Sequence, residues 1–235
     1  MDLPANDLGD PAAVFGTSFV FEKKITLANL TITAMGVYEA RLNGRRVGQF
    51  VMAPGWTSYH KRLQYQEYDI TDLLTNGKNE IEVTVGKGWY RSPLPGWLGC
   101  AYQDELRSRP CGLAAQITLT FEDGSSKILS TDESWKVSDG PVRFSEIYDG
   151  EIYDSTKAPL LDQPVTMFDG PTDTLILQQG EEVYEQERLA VKKVFVTPNG
   201  ETVLDFGQNM TGYVELFVNA NVGDCVGPFF CRGNG

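Results

Sequence analysis

Histidine occurs once in these 235 residues, at His60. A multi-histidine metal site is excluded, and a Ser-His-Asp triad, which would rest on His60 alone, is not expected because His60 reads as a surface residue. Cysteine is nearly as scarce. Cys100, Cys111, Cys225 and Cys231 contain no CxxC pair, which removes zinc-ribbon and dithiol redox chemistry, and four in so long a chain do not make a disulfide scaffold. They are expected to be thiols for the most part, with a Cys100–Cys111 bridge open to an exported protein. Basic residues are outnumbered, 20 against 32 acidic, for a net charge of −12. Nucleic acid and anionic membrane surfaces are therefore not expected partners, since both select clustered Lys and Arg. No apolar run approaches the roughly 20 residues that span a bilayer. The start "MDLPANDLGDPAAVFG" lacks the basic and apolar regions of a signal peptide, which favours the cytoplasm over export. Helical periodicity is also missing: before residue 150 only "ITDLL", 70–74, qualifies, and it is too short to be more than a turn.

What the chain does have is a period of two. Ile117, Leu119 and Phe121 in "ITLTF" share one face, and Ile81, Val83 and Val85 in "EIEVTV" do the same, the pattern of half-buried strands. Turn dipeptides punctuate these strands at Asn43-Gly44, Asn76-Gly77, Asp123-Gly124, Asp139-Gly140, Asp149-Gly150 and Asn199-Gly200. The expected fold is all-β, an antiparallel β-sandwich of the jelly-roll kind with a partial second β unit at the C-terminus. Residues 1–15 read as a loose lead-in, 16–155 as the sandwich, 156–190 as a proline-rich linker and 191–235 as an incomplete second β segment. About 45 residues cannot close a sandwich of their own. The glycine-rich "GPFFCRGNG" at the end looks like an accident of truncation and, with the partial unit, implies exposed apolar surface and self-association.

Three long stretches carry a resemblance. "GVYEARLNGRRVGQFVMAPGWTSYHKRLQYQEYDITDLL…NEIEVTVGKGWY" resembles the N-terminal β-sandwich region of bacterial α-L-rhamnosidases, and "DGEIYD" continues the likeness. "LDFGQNMTGYVEL" is similar to the start of the concanavalin-like β domain that follows in those enzymes. Together they cover about residues 18–226, and the chain departs from the family's pattern after Val226. The resemblance implies inverting hydrolysis of terminal L-rhamnose by acidic residues of an (α/α)6 barrel lying C-terminal to both β domains. It also implies rhamnose or rhamnoside-containing glycans as the ligand class.

Candidate site residues follow from residue chemistry. "GKGWYRSPLPGWLG", 86–99, sets large aromatics among glycines and prolines that disfavour regular structure, so a loop is expected. Trp89, Tyr90 and Trp97 offer ring faces to the C–H groups of a sugar, with Arg91, Gln103 and Asp104 as a polar rim. Trp89 follows a strand and has a competing role as the plug of the sandwich end, while Trp97 is the stronger binding candidate. In "APGWTSYHKRLQY", Trp56 and Arg62 are further candidates, Arg62 through its planar fork of donors or, in a structural role, tied to Glu67 or Asp69. Around "IYDGEIYDS", Asp149, Glu151 and Asp154 suggest calcium or paired-carboxylate chemistry. Residues three apart on a strand face opposite ways, which sets Glu151 and Asp154 against flanking one bond. The expectation is a non-catalytic carbohydrate-recognition or barrel-supporting region, with no certain cofactor and calcium as the one candidate. Its alternatives are a glycosidase active through this chain and a purely structural docking domain.

Overall fold

The computed structural model describes residues 11–92, 108, 110–148, 150–219, 221, 223, 224 and 227. In chain order its strands begin with β1 Ala13–Phe21, β2 Ile25–Met35, β3 Val37–Leu42, β4 Arg45–Arg46 and β5 Leu63–Asp69. Strand β6, Gly77–Gly86, leads directly into the single helical turn α1, Gly88–Arg91. Then come β7 Gly112–Phe121, β8 Ser126–Ser130, β9 Lys136–Asp139, β10 Val142–Glu146, β11 Gly150–Tyr153, β12 Gln163–Pro164 and β13 Leu175–Leu177. The last two are β14 Lys193–Val196 and β15 Thr202–Asp205.

The strands sort into a β-sandwich. One sheet has the order β12-β9-β1-β6-β3-β4 and the other β13-β5-β2-β7-β8. The long strands alternate between sheets along the chain, so each crossing passes over an end of the sandwich and the loops collect there. Pairing is antiparallel throughout except for β13, which runs parallel to β5 with Leu175 opposite Leu63 and Leu177 opposite Tyr65. The expected alternation places the core: Ile81, Val83 and Val85 from β6 share it with Ile117, Leu119 and Phe121 from β7 and with Leu30 and Ile32 of β2, which pairs β7 in the opposite sheet. Leu30, Ile32, Ile81, Val83 and Leu119 have no exposed surface.

Turns form at Asn43-Gly44, Asp123-Gly124 and Asn199-Gly200, whereas Asp139-Gly140 joins β9 to β10, which do not pair. Asn43 and Gly44 both take positive φ, 52° and 76°, as a two-residue hairpin between β3 and β4 demands. "ITDLL" makes a 3-10 turn at Thr71–Leu73. The stretch after β6 differs from the expectation of a plain loop, because its first residues wind into α1 before the prolines. Gly88 permits this turn to lie close to β3: a Cβ there would come within 2.5 Å of the Val37 side chain.

By compactness the chain divides into one unit to Glu185 and a second from Gln186 onward. Residues 156–185 supply β12 and β13 to the edges of the two sheets. In the second unit β14 and β15 form a hairpin closed at Asn199-Gly200, with Val194 and Val196 exposed. Among the described residues no helix is long and apolar enough to cross a membrane.

One buried polar hub holds the turn end of the sandwich. The Asn79 amide is fully buried. Its oxygen accepts from Asn43 Nδ2 and from the Thr75 N–H, each at 2.8 Å. Its nitrogen donates to the carbonyls of Thr75 at 2.8 Å and Gly77 at 3.1 Å. Asn79→Ala strips partners from groups on two turns, so a loss of about 2–4 kcal/mol is expected in urea denaturation, with the slope of the transition unchanged.

Candidate functional site

Three of the aromatic candidates, Trp56, Trp89 and Tyr90, converge at one end of the sandwich. The connection from β4 to β5 carries Pro54, Gly55 and Trp56, and α1 carries Trp89 and Tyr90. The indoles of Trp56 and Trp89 stack with ring centres 6.2 Å apart and planes within 6° of parallel. Behind them Tyr90 is buried and meets Tyr59 edge to face at 5.3 Å. Leu63, Met35 and Leu175 complete this small second core, on which Trp89 packs half-buried. Trp56 remains 56% exposed. The result is a plate: one outward indole, supported by a second, supported in turn by tyrosines.

Arg62 is exposed at the foot of β5, and its backbone carbonyl accepts a hydrogen bond from Thr57 Oγ1. Its guanidinium pairs with neither Glu67 nor Asp69. Asp69 instead accepts from the side chain and backbone N–H of Thr71, which hold its carboxyl below the usual carboxylate range. His60 is exposed beside Lys61. Trp97, Asp104 and Asp149 lie outside the described residues.

The loop bearing Trp56 is held from behind by a buried amide network. The Pro54 carbonyl accepts from Gln64 Nε2 at 3.1 Å and from Gln66 Nε2 at 3.5 Å. Gln66 Nε2 also donates to Gln178 Oε1 at 2.8 Å, and its own oxygen accepts from the Tyr38 hydroxyl at 2.7 Å. Burial pushes the Tyr38 phenol far up, with Tyr68 alongside adding to the effect, so the hydroxyl keeps its proton and donates. Gln64 Oε1 accepts from the Gln179 N–H at 2.9 Å. Sequence reasoning missed these glutamines. Their signal was available, since Gln64 and Gln66 are polar side chains two apart on a strand, hence on one face.

The carboxylate candidates are elsewhere, on the β10–β11 hairpin. Asp154 accepts from the Thr156 hydroxyl and N–H, at 2.6 and 3.0 Å, which hold its carboxyl low. Glu151 stands opposite Ser145, and desolvation raises its carboxyl. Among the described residues no group of three or more His, Cys, Asp or Glu side chains could hold a metal ion. A residue not anticipated, Glu146, is 7% exposed and pairs with Lys87 Nζ at 2.9 Å. The Lys87 ammonium also lies 5.7 Å from the centre of the Phe144 ring. This pair joins the start of α1 to β10. A cavity of about 160 Å³ beside it, lined by Ala12, Ala13, Val85, Lys87, Arg91 and Ser145 among others, is smaller than the roughly 300 Å³ at which ligand clefts begin.

A family profile described as "Alpha-L-rhamnosidase N-terminal domain" matches residues 23–187. An α-L-rhamnosidase of Streptomyces avermitilis is 36% identical over 215 residues, which make up 87% of this chain and 20% of that protein. One from Alteromonas sp. is 32% identical, over 85% of this chain and 23% of its own length. The crystal structure of native α-L-rhamnosidase from Aspergillus terreus superposes with a TM-score of 0.77 at 40% identity, covering 85% of this chain and 24% of that one. The Streptomyces avermitilis enzyme complexed with L-rhamnose gives the same TM-score at 33% identity, over 85% of this chain and 20% of its own. The chain thus spans a fifth to a quarter of the relatives it matches.

Two outcomes follow from the geometry. Trp89→Ala opens the small core under the plate and should cost about 2–4 kcal/mol in chemical denaturation, whereas Trp56→Ala should fall within about 0.5 kcal/mol of the parent. Lys87→Met leaves the buried Glu146 carboxylate without its cation, and a loss of about 3 kcal/mol is expected, largely recovered in Lys87→Met/Glu146→Leu.

Proposed function

We propose that this chain, which belongs to the α-L-rhamnosidase N-terminal domain family, recognises the L-rhamnose end of a glycan and supplies no catalytic carboxylate of its own. The observation that carries the reading is the Trp56–Trp89 stack with its outer face open to solvent. An indole face presents negative charge density to the polarised C–H bonds of a sugar. L-Rhamnose suits such a plate, since its C6 methyl adds apolar area that a hexose replaces with a hydroxymethyl group. The donors of Arg62 would then select among hydroxyl patterns. In support, the Streptomyces avermitilis relative has been crystallised with L-rhamnose.

Against catalysis through this chain stands the use already made of its candidate acids. Asp154 spends one oxygen on Thr156, and Glu151 and Asp154 are three apart on an extended segment, which faces them opposite ways. Glycoside hydrolysis needs two carboxyl groups flanking one bond.

The test is a calorimetric titration with L-rhamnose and with a methyl rhamnoside. A dissociation constant on the order of 0.1–1 mM is expected, since a monosaccharide has few atoms and many hydroxyls that must exchange water for protein partners. Trp56→Ala should abolish the heat signal in a protein that remains folded. Absence of binding to both sugars by the parent chain would leave the docking-domain reading in its place, and turnover of an aryl rhamnoside by this chain would refute the non-catalytic assignment.

A further inference from the structure

The Trp56 plate has no rigid element of its own. It sits in the long connection between β4 and β5, whose backbone ties include Tyr38 N–H to the Ala53 carbonyl at 2.8 Å, Val51 N–H to the Val183 carbonyl at 2.6 Å, and the Pro54 carbonyl to the two glutamine amides. Two of those ties lead to one distant segment. Val183 belongs to it directly, and Gln64 and Gln66 reach it through the Gln179 N–H and Gln178 Oε1. The segment is anchored in register by β13 along β5 and by the Gln178 N–H to the Tyr65 carbonyl at 2.9 Å.

We propose that residues 175–183 form a clamp whose glutamine contacts set the position of the Trp56 plate, so that ligand affinity at this end of the sandwich is governed by residues that touch no ligand. The proposal rests on the reading of Trp56 as the sugar-facing ring. Each amide in the network has a partner for its oxygen and at least one for its nitrogen, so the Pro54 carbonyl is fixed by groups that are themselves fixed. Trp56 rests on Trp89 but is carried by a loop, and a site residue loses productive contact when its support loosens by about 1 Å. Gln64 and Gln66 are buried, and Gln178 is half-buried. The clamp therefore works from the interior side of the loop and leaves the outer face of Trp56 open.

The acceptor atom of Gln178 provides a clean test in the full chain. Gln178→Met keeps the length of the side chain but cannot accept from Gln66 Nε2, whereas Gln178→Glu retains an acceptor oxygen. Three forms are compared by amide hydrogen exchange over residues 50–58 and by L-rhamnose titration, with exchange in β2 and β7 as the control for global stability. Expected for Gln178→Met is exchange about tenfold faster in 50–58 and a dissociation constant about tenfold higher, with β2 and β7 unchanged, the size of one lost hydrogen bond. Gln178→Glu should restore both. Unchanged exchange in 50–58 overturns the clamp, and faster exchange with unchanged affinity overturns its role in positioning. If the parent chain binds no L-rhamnose, the sugar reading falls separately, and exchange in 50–58 still decides whether residues 175–183 hold the loop.

Discussion

Every long strand in the first unit must bury one face, and the structure follows from that constraint. Alternate residues of β2, β6 and β7 fill the space between the sheets, and a one-residue slip in any of them would turn its apolar set to solvent. Because the chain changes sheet after nearly every strand, its connections are forced to the two ends of the sandwich. At one end the connections are tied by amides centred on Asn79. At the other they carry aromatic side chains that have no place in the main core and build a smaller one from Tyr59, Leu63 and Tyr90.

That smaller core gives the site its character. Trp89 lies half inside it and Trp56 lies on Trp89, so burial decreases outward from the tyrosines to the exposed indole. Buried polarity here is matched rather than avoided: Gln64 and Gln66 cross the edge of β5 to meet Gln179 and Gln178, and the Tyr38 hydroxyl donates to Gln66. A platform of this kind suits recognition of an apolar sugar face better than chemistry on a glycosidic bond. Stacking needs one well-supported ring, whereas hydrolysis needs two carboxyl groups at a set separation.

The sheet architecture was legible in the sequence because alternation and turn dipeptides are local signals. Ile81, Val83 and Val85 face inward as their spacing requires, and Asn43-Gly44 turns as its φ values permit. The helical turn at Gly88–Arg91 was not legible, since glycine on both sides of Lys87 weighs against a helix and the gain comes from packing on Val37. The meeting of Trp56 with Trp89, 33 positions away, is a product of topology that no local pattern encodes. Two partners of Gln64 and Gln66, Gln178 and Gln179, lie more than a hundred residues downstream. Those two glutamines could have been flagged as polar residues on one strand face, but not matched.

The central claim is that ligand meets this protein on the Trp56–Trp89 stack, and the indole N–H resonances of a ¹⁵N-labelled chain report on it directly. Trp135 is buried in the main core, with its Nε1 donating to the Ser130 carbonyl at 3.3 Å, and serves as the internal reference. On titration with L-rhamnose the Trp56 and Trp89 indole signals should move together along one saturable curve while that of Trp135 stays in place. Saturable binding that leaves the Trp56 and Trp89 signals unmoved would contradict the account and put the sugar elsewhere.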